Sequence, residues 1–265
     1  MDNDFKSQFD KAINDYATKN QYGVSKIPFH VHNGTDAPPV DYNTLANKPS
    51  STAIDPTTWA FLYEEFLGGD DTTTNIGQNN WRYRSTTGGA DTYAGQTPTV
   101  GHPGIFRIGK AGTNECGAIY VAQSTGVRTD QPNMTITALV KLEQTAFCYC
   151  RMGIIRDPAL DGDTGLFLRY DSSGNGVWEG VTQNNLATNV VGAATATTDW
   201  VQLKIVVDEF YTKVDFYVDG VLIGTSTTIL PTQPVYPFFQ IGTRTAAAAY
   251  AQIDYYYLTI TNLER

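Results

Sequence analysis

After Thr57, hydrophobic and polar positions alternate along the chain in one segment after another. In "MTITALVKL" the residues Met134, Ile136, Ala138, Val140 and Leu142 fall on one side. "WVQLKIVVD" repeats this with Val201, Leu203, Ile205 and Val207, and "KVDFYVDGVLIGTS" with Val214, Phe216 and Val218. A period of two predicts strands with one face in a core and the other toward water. The turns are marked as well. "GLFLRYDSSGNGVWEGV" predicts a hairpin turning at Ser172 to Gly176, and Asp219-Gly220 is the strongest two-residue hairpin signal in the chain. "AQIDYYYLTITNL" predicts a last strand of about ten residues. No stretch after Thr57 has a helical period, and no internal repeat is visible. More than about ten strands with regular turns predict an all-β, two-sheet antiparallel sandwich.

The beginning of the chain has a different pattern. Within residues 2–20, Phe5, Phe9, Ala12 or Ile13, and Tyr16 follow helical spacing, with Asp2 or Asn3 to cap the first turn and Gly23 to stop it. So short a helix with so narrow a stripe is marginal alone in water. Its stripe must pack, either on its own body or in a bundle with copies of itself or a partner. Residues 24–56 then lose periodicity. Pro28, Pro38, Pro39, Pro49 and Pro56 remove backbone donors and favour extended chain, as expected for a linker or a strap ordered against other chains. The predicted organisation is a helix for oligomerisation or anchoring at 1–23, a proline-rich extended attachment arm at 24–56, and a sandwich at 57–265.

Composition narrows the function. Charged residues are 17% of the 265, aromatic residues 12%, and the formal net charge is −9. Enough apolar surface exists for a core, so disorder is excluded as the main state. An acidic surface repels phosphate backbones, so nucleic acid is not the expected partner. Cys148 and Cys150 stand two apart, on one face of a strand, and read as small buried hydrophobes. With Cys116 they imply no disulfide framework. The opening "MDNDFKSQFDKAINDY" lacks the apolar segment of a secretory signal, and no run approaches the ~18 apolar residues of a membrane span. Synthesis in the cytoplasm, or in a host's cytoplasm, is the expectation, without membrane insertion.

The order "DWVQLKIVVD", "KVDFYVDGVLIGTS", "PVYPFFQIGTR", "AQIDYYYLTI" resembles the concanavalin A-like lectin/glucanase sandwich, a jelly roll shared by laminin-G-like modules and many glycan-binding domains. The resemblance spans roughly residues 57–265 and is strongest after Asp199. The arm resembles something else. "IPFHVHNGTDAPPV" is similar to a His-x-His-Asn-Gly-x-Asp segment of phage virion proteins, and "DYNTLANKPS" to a Leu-x-Asn-Lys-Pro segment of phage tail-fibre shafts and connectors. Together they imply a virion structural protein. It would be a trimeric fibre or decoration protein of capsid or tail, held to other virion proteins by its arm, with a lectin-like head projecting at the virion surface toward host or environmental glycans. In such a trimer Phe5, Phe9, Ala12 and Tyr16 would line the axis.

Several residues are candidates for chemistry. His30 and His32 point the same way at strand spacing. One chain supplies two imidazoles, and three chains supply an octahedral set for a transition metal, as the fibre resemblance implies for its threefold axis. The alternative is that "HNGTD" is turn chemistry. Asp157, Asp161, Asp163 and Asp171 offer oxygen ligands for Ca²⁺, or else build solvated turns. Glycan contacts are sought among aromatic residues near turns, because sugar faces stack on rings. Trp81, Tyr83, Trp178 and Tyr256 are the candidates, with core or interface packing as the alternative. In "DYYYL", Tyr256 must face away from Tyr255 and Tyr257, so one side is core and the other a groove or interface. Catalysis is not expected. Sandwich glucanases resembling this fold carry Glu-x-Asp-x-x-Glu on one strand, and no such run occurs. Glu64 and Glu65 are adjacent and face opposite ways, Glu179 stands alone, and His102 is the sole histidine after the arm. The alternative class is a sandwich-fold polysaccharide-degrading enzyme.

Overall fold

The structure is a computed structural model. It describes residues 59–66, 76–79, 81–86, 88–121, 127–128, 133–157, 164–185 and 187–261. The chain divides into two units, Met1–Pro56 and Thr57–Arg265, and all described residues belong to the second. The predicted helix and arm, with Phe5, Phe9, Ala12, Tyr16, His30 and His32, lie outside the described residues.

Among the described residues there are strands and no helix. In chain order they are β1 (Trp59–Glu64), β2 (Trp81–Ser85), β3 (Asp91–Gln96), β4 (Ile105–Lys110), β5 (Cys116–Val121), β6 (Val127–Arg128), β7 (Met134–Leu142) and β8 (Cys148–Ile155). There follow β9 (Gly165–Asp171), β10 (Val177–Asn184), β11 (Ala187–Thr195), β12 (Trp200–Val207), β13 (Val214–Val218), β14 (Val221–Ser226), β15 (Pro234–Thr243) and β16 (Ala249–Thr261). One eight-stranded sheet runs β14-β13-β12-β7-β16-β4-β3, with β1 also on β16. The other runs β11-β10-β9-β8-β15-β5-β2, with β6 also on β15. The sandwich expected from alternation is the observed architecture.

Its core lies where the pattern placed it. In β7 and β12 alternate residues are buried, and Ile136, Ala138, Leu203, Ile205, Val214 and Phe216 are fully enclosed between the sheets. The β13–β14 hairpin turns at Asp219 and Gly220, with φ of 49° and 78°. Positive φ at both central positions is what a twisted two-residue hairpin needs and what Asp-Gly tolerates. Cys148 and Cys150 both point into this core and are unpaired with each other. Burial pushes the Cys148 thiol up to about 12, and the Cys150 thiol is pushed well above its ordinary value for the same cause. Neither thiol is available as a thiolate.

Strands β8 and β10 depart from simple alternation. β8 is buried at every position, and β10 at all but its ends. On the outer side of this second sheet, Ile155, Phe167, Val181 and Phe238 form a second apolar cluster with Tyr120 against it. A second departure is a bulge in β16. Ile253 pairs with Val140 and Tyr255 with Leu139, so Asp254 is an extra residue. It re-aims the side chains that follow, a common role of bulges beside sites.

Candidate functional site

The four rings expected to meet sugar do not face solvent. Trp81, Trp178 and Tyr256 are fully buried and Tyr83 nearly so. Trp81 packs edge-on against Tyr256 with centroids 5.1 Å apart and lies 5.5 Å from Phe66. Trp178 stands 5.8 Å from Tyr170. The Tyr83 hydroxyl donates to Asp91 Oδ1 at 3.1 Å. The Tyr256 hydroxyl donates across the sandwich to the Gly153 carbonyl oxygen at 2.6 Å. No sugar reaches these faces, so the candidate set is corrected to core packing. Their large apolar areas drew them inward, and Tyr83 and Tyr256 could follow because each hydroxyl finds an acceptor there.

The alternation through "DYYYL" places the other two tyrosines outside. Tyr255 and Tyr257 emerge on the outer face of the first sheet, either side of the inward Tyr256. Tyr257 pairs in register with Tyr63 of β1 on one side and Thr137 of β7 on the other. These four side chains line an open hollow of about 300 Å³. Its wall is aromatic and its rim polar. Tyr63 and Tyr257 meet edge-to-face with centroids 5.9 Å apart. Gln202 Nε2 donates to the Tyr255 hydroxyl at 2.9 Å, and the Tyr63 hydroxyl donates to Glu65. Desolvation in the hollow, with the bond to Glu65, pushes the Tyr63 phenol up, so it remains a donor.

Two devices hold this face. Glu64, fully buried, accepts from the backbone N–H groups of Phe66 (2.8 Å), Gln78 (2.9 Å) and Asn79 (2.8 Å) and from Asn79 Nδ2 (3.0 Å). Asn79 Nδ2 also donates to the Tyr63 carbonyl oxygen at 2.7 Å, so the clamp fixes the β1 wall of the hollow. Beyond Tyr255, the bulged Asp254 meets His102 Nδ1 at 2.9 Å, and that imidazole stacks on Trp200 at 4.4 Å. The β3–β4 loop is thereby fastened to β16 and β12. Sequence reading missed Tyr63, Thr137, Gln202 and the His102–Asp254 contact. Each depends on pairing between distant strands, and only the phase of Tyr255 and Tyr257 signalled the face.

Carboxylates on the second sheet are committed elsewhere. In register across its outer face stand Glu179, Arg169, Arg151 and Gln240. Glu179 binds Arg169 Nη2 at 2.8 Å and Asn175 Nδ2 at 2.9 Å. Asp171 takes two bonds from Arg244, through Nε at 3.0 Å and through Nη2. Burial opposes ionisation of Asp171, but Arg244 and the Ser173 N–H and hydroxyl outweigh it and hold the carboxyl below its usual range. Asp157 pairs with Arg84 at 3.0 Å, while Asp161 and Asp163 lie outside the described residues. Asp157 and Asp171 thus sit in separate ion pairs, and no cluster of three metal-ligating side chains occurs among the described residues.

A family model described as the concanavalin A-like lectin/glucanases superfamily matches residues 117–257, just over half of the chain. Three solved structures share the fold. A protein of unknown function from Shewanella oneidensis MR-1 superposes with TM-score 0.56 at 17% identity, covering 79% of this chain and 90% of that one. The carbohydrate recognition domain of Emp47p gives 0.51 at 12% identity over 79% and 99%. A glycoside hydrolase family 16 endo-glucanase from Bacteroides ovatus gives 0.51 at 11% identity over 74% and 99%. At these identities the likeness is one of fold. No match was found among curated proteins.

Proposed function

The chain belongs to the concanavalin A-like lectin/glucanases superfamily, and from that membership we propose that its sandwich binds carbohydrate without cleaving it. The observation that carries this is the hollow of Tyr63, Tyr255, Tyr257 and Thr137. Phenol rings at angles to one another offer apolar faces to the C–H side of a pyranose, while their hydroxyls and Gln202 meet its oxygens. Binding rather than turnover is supported by the placement of Glu179 and Asp171, which lie on the second sheet, each engaged by an arginine, while the hollow lies on the first. A retaining mechanism needs two carboxyls flanking the bound sugar, and neither of these borders the hollow. In a glycan panel the full-length protein is expected to bind at least one oligosaccharide, and Tyr257→Ala to weaken it at least about tenfold. Hydrolysis of the bound glycan, abolished by Glu179→Gln or Asp171→Asn, would establish the enzyme reading instead.

The wider role rests on the arm. In this proposal "IPFHVHNGTDAPPV" and "DYNTLANKPS" mark a phage virion fibre or decoration protein. Residues 1–56 join three copies to one another and to the virion, and the sandwich is displayed toward glycans. Sedimentation of the full chain at micromolar concentration is expected to give a trimer, and a folded monomer overturns that part. If His30 and His32 hold a transition metal on the axis, elemental analysis finds about one ion per three chains, and chelator lowers the melting temperature of the arm.

A further inference from the structure

The hollow has charge of opposite sign on its two sides, and this bears on which sugar it takes. Thr137 sits between two pairing partners, Tyr257 of β16 and Lys204 of β12. Lys204 is in turn paired with Tyr217 of β13, and its ammonium lies 5.5 Å from the centre of that ring. One transverse row therefore reads Tyr63, Tyr257, Thr137, Lys204, Tyr217 across five strands. Directly opposed residues have Cβ atoms only about 5 Å apart, so the Lys204 stem begins beside Thr137 at the margin of the hollow, and its ammonium rests over Tyr217 on the far side.

Among the described residues Lys204 meets no carboxylate. The other cations of this face differ. Arg107 is bound by Glu143 at 2.7 and 2.6 Å, and Lys141 is near enough to the same carboxylate to act on it electrostatically. On the opposite side of the hollow the charge is negative, with Glu65 at the Tyr63 hydroxyl. The site thus has an acceptor-rich edge at β1 and a single cationic edge at β12.

We propose that the hollow takes an acidic saccharide, with a pyranose on Tyr255 and Tyr257, its hydroxyls toward the Tyr63–Glu65 edge, and its carboxylate on Lys204. This rests on the carbohydrate-binding reading above. The overall charge of −9 does not oppose it, because at physiological salt the Debye length is about 8 Å and the local ammonium outweighs distant carboxylates.

The test uses full-length protein and a panel of uronic- and sialic-acid-bearing oligosaccharides, each paired with its carboxyl-reduced form. The acidic member of at least one pair is expected to bind roughly tenfold more tightly, as a charge-assisted hydrogen bond provides. Lys204→Met, which keeps the stem against Tyr217, should erase that preference and leave the reduced form's affinity unchanged, and Lys204→Arg should restore it. Equal binding of both members of every pair, or a preference that survives Lys204→Met, overturns the inference alone. Absence of binding by any saccharide overturns the carbohydrate reading and the inference with it.

Discussion

Tyr256 is the one phenol of its run that lies inside, and its single polar atom is answered by the Gly153 carbonyl of the opposite sheet. Tyr256→Phe leaves that buried acceptor unmet and should cost about 1 kcal/mol, a fall in melting temperature of about 2–4 °C. Sugar binding should be unchanged, which separates this residue from Tyr257. Glu64 is the opposite case, a buried carboxyl whose two oxygens together accept four N–H donors. Glu64→Gln replaces one acceptor oxygen with an amide that points its own hydrogens at donors. We expect a loss of about 2–3 kcal/mol in chemical denaturation, accompanied by weaker glycan binding as the Tyr63 wall loosens. A stability loss with binding intact would mean that the clamp does not position Tyr63. Side-chain facing at this scale was half legible. A period of two separates Tyr256 from Tyr255 and Tyr257, but it cannot say which side meets the other sheet.

Strands whose two faces differ were read from sequence almost residue by residue, as β7 and β12 illustrate with their regular alternation of buried and half-buried positions. Strands β8 and β10 were less legible, because burial on both faces removes the polar half of the pattern and leaves Arg151 and Glu179 among apolar neighbours. Pairing between remote strands left no local trace at all, which is why the row from Tyr63 to Tyr217 could not be seen before the fold. The edges of the two sheets supply a sharper test of element geometry. Strands β11 and β14 belong to different sheets, and Gly192 of β11, at φ of 75°, approaches β14 so closely that a Cβ would lie 2.2 Å from the Ile223 carbonyl oxygen. Gly192→Ala meets both a left-handed backbone and that carbonyl. It should destabilise by about 2 kcal/mol or more, since overpacking and backbone strain add. A melting temperature within about 1 °C of the parent would show that the two edges can part without cost.

For the whole molecule, pH acts through two opposing terms. The formal charge of −9 makes the compact state repel itself at neutrality, and that repulsion eases as acid is added. Specific pairs work the other way. Hydrogen bonds from Arg107 hold the Glu143 carboxyl below its ordinary 4.5, overcoming burial, with Gln252 adding to the effect. Arg244 and Ser173 likewise hold Asp171 below 3.8 against its burial. A depressed folded pKa contributes stability that is complete above the unfolded value and disappears as pH falls through the folded one. The contribution of Glu143 is therefore whole at pH 7 and begins to fade below about 4.5. Both groups of this pair are partly exposed, so solvent screening limits it to about 1 kcal/mol. Because easing repulsion masks the loss in the parent protein, the informative measurement is a difference. Glu143→Gln should be about 1 kcal/mol less stable than the parent at pH 7. The gap should close progressively as pH falls below about 4.5 and the parent's Glu143 takes up its proton. A gap that stays unchanged as acid is added until the parent unfolds would mean that Glu143 acts through packing against Arg107 and Gln252 rather than through its charge.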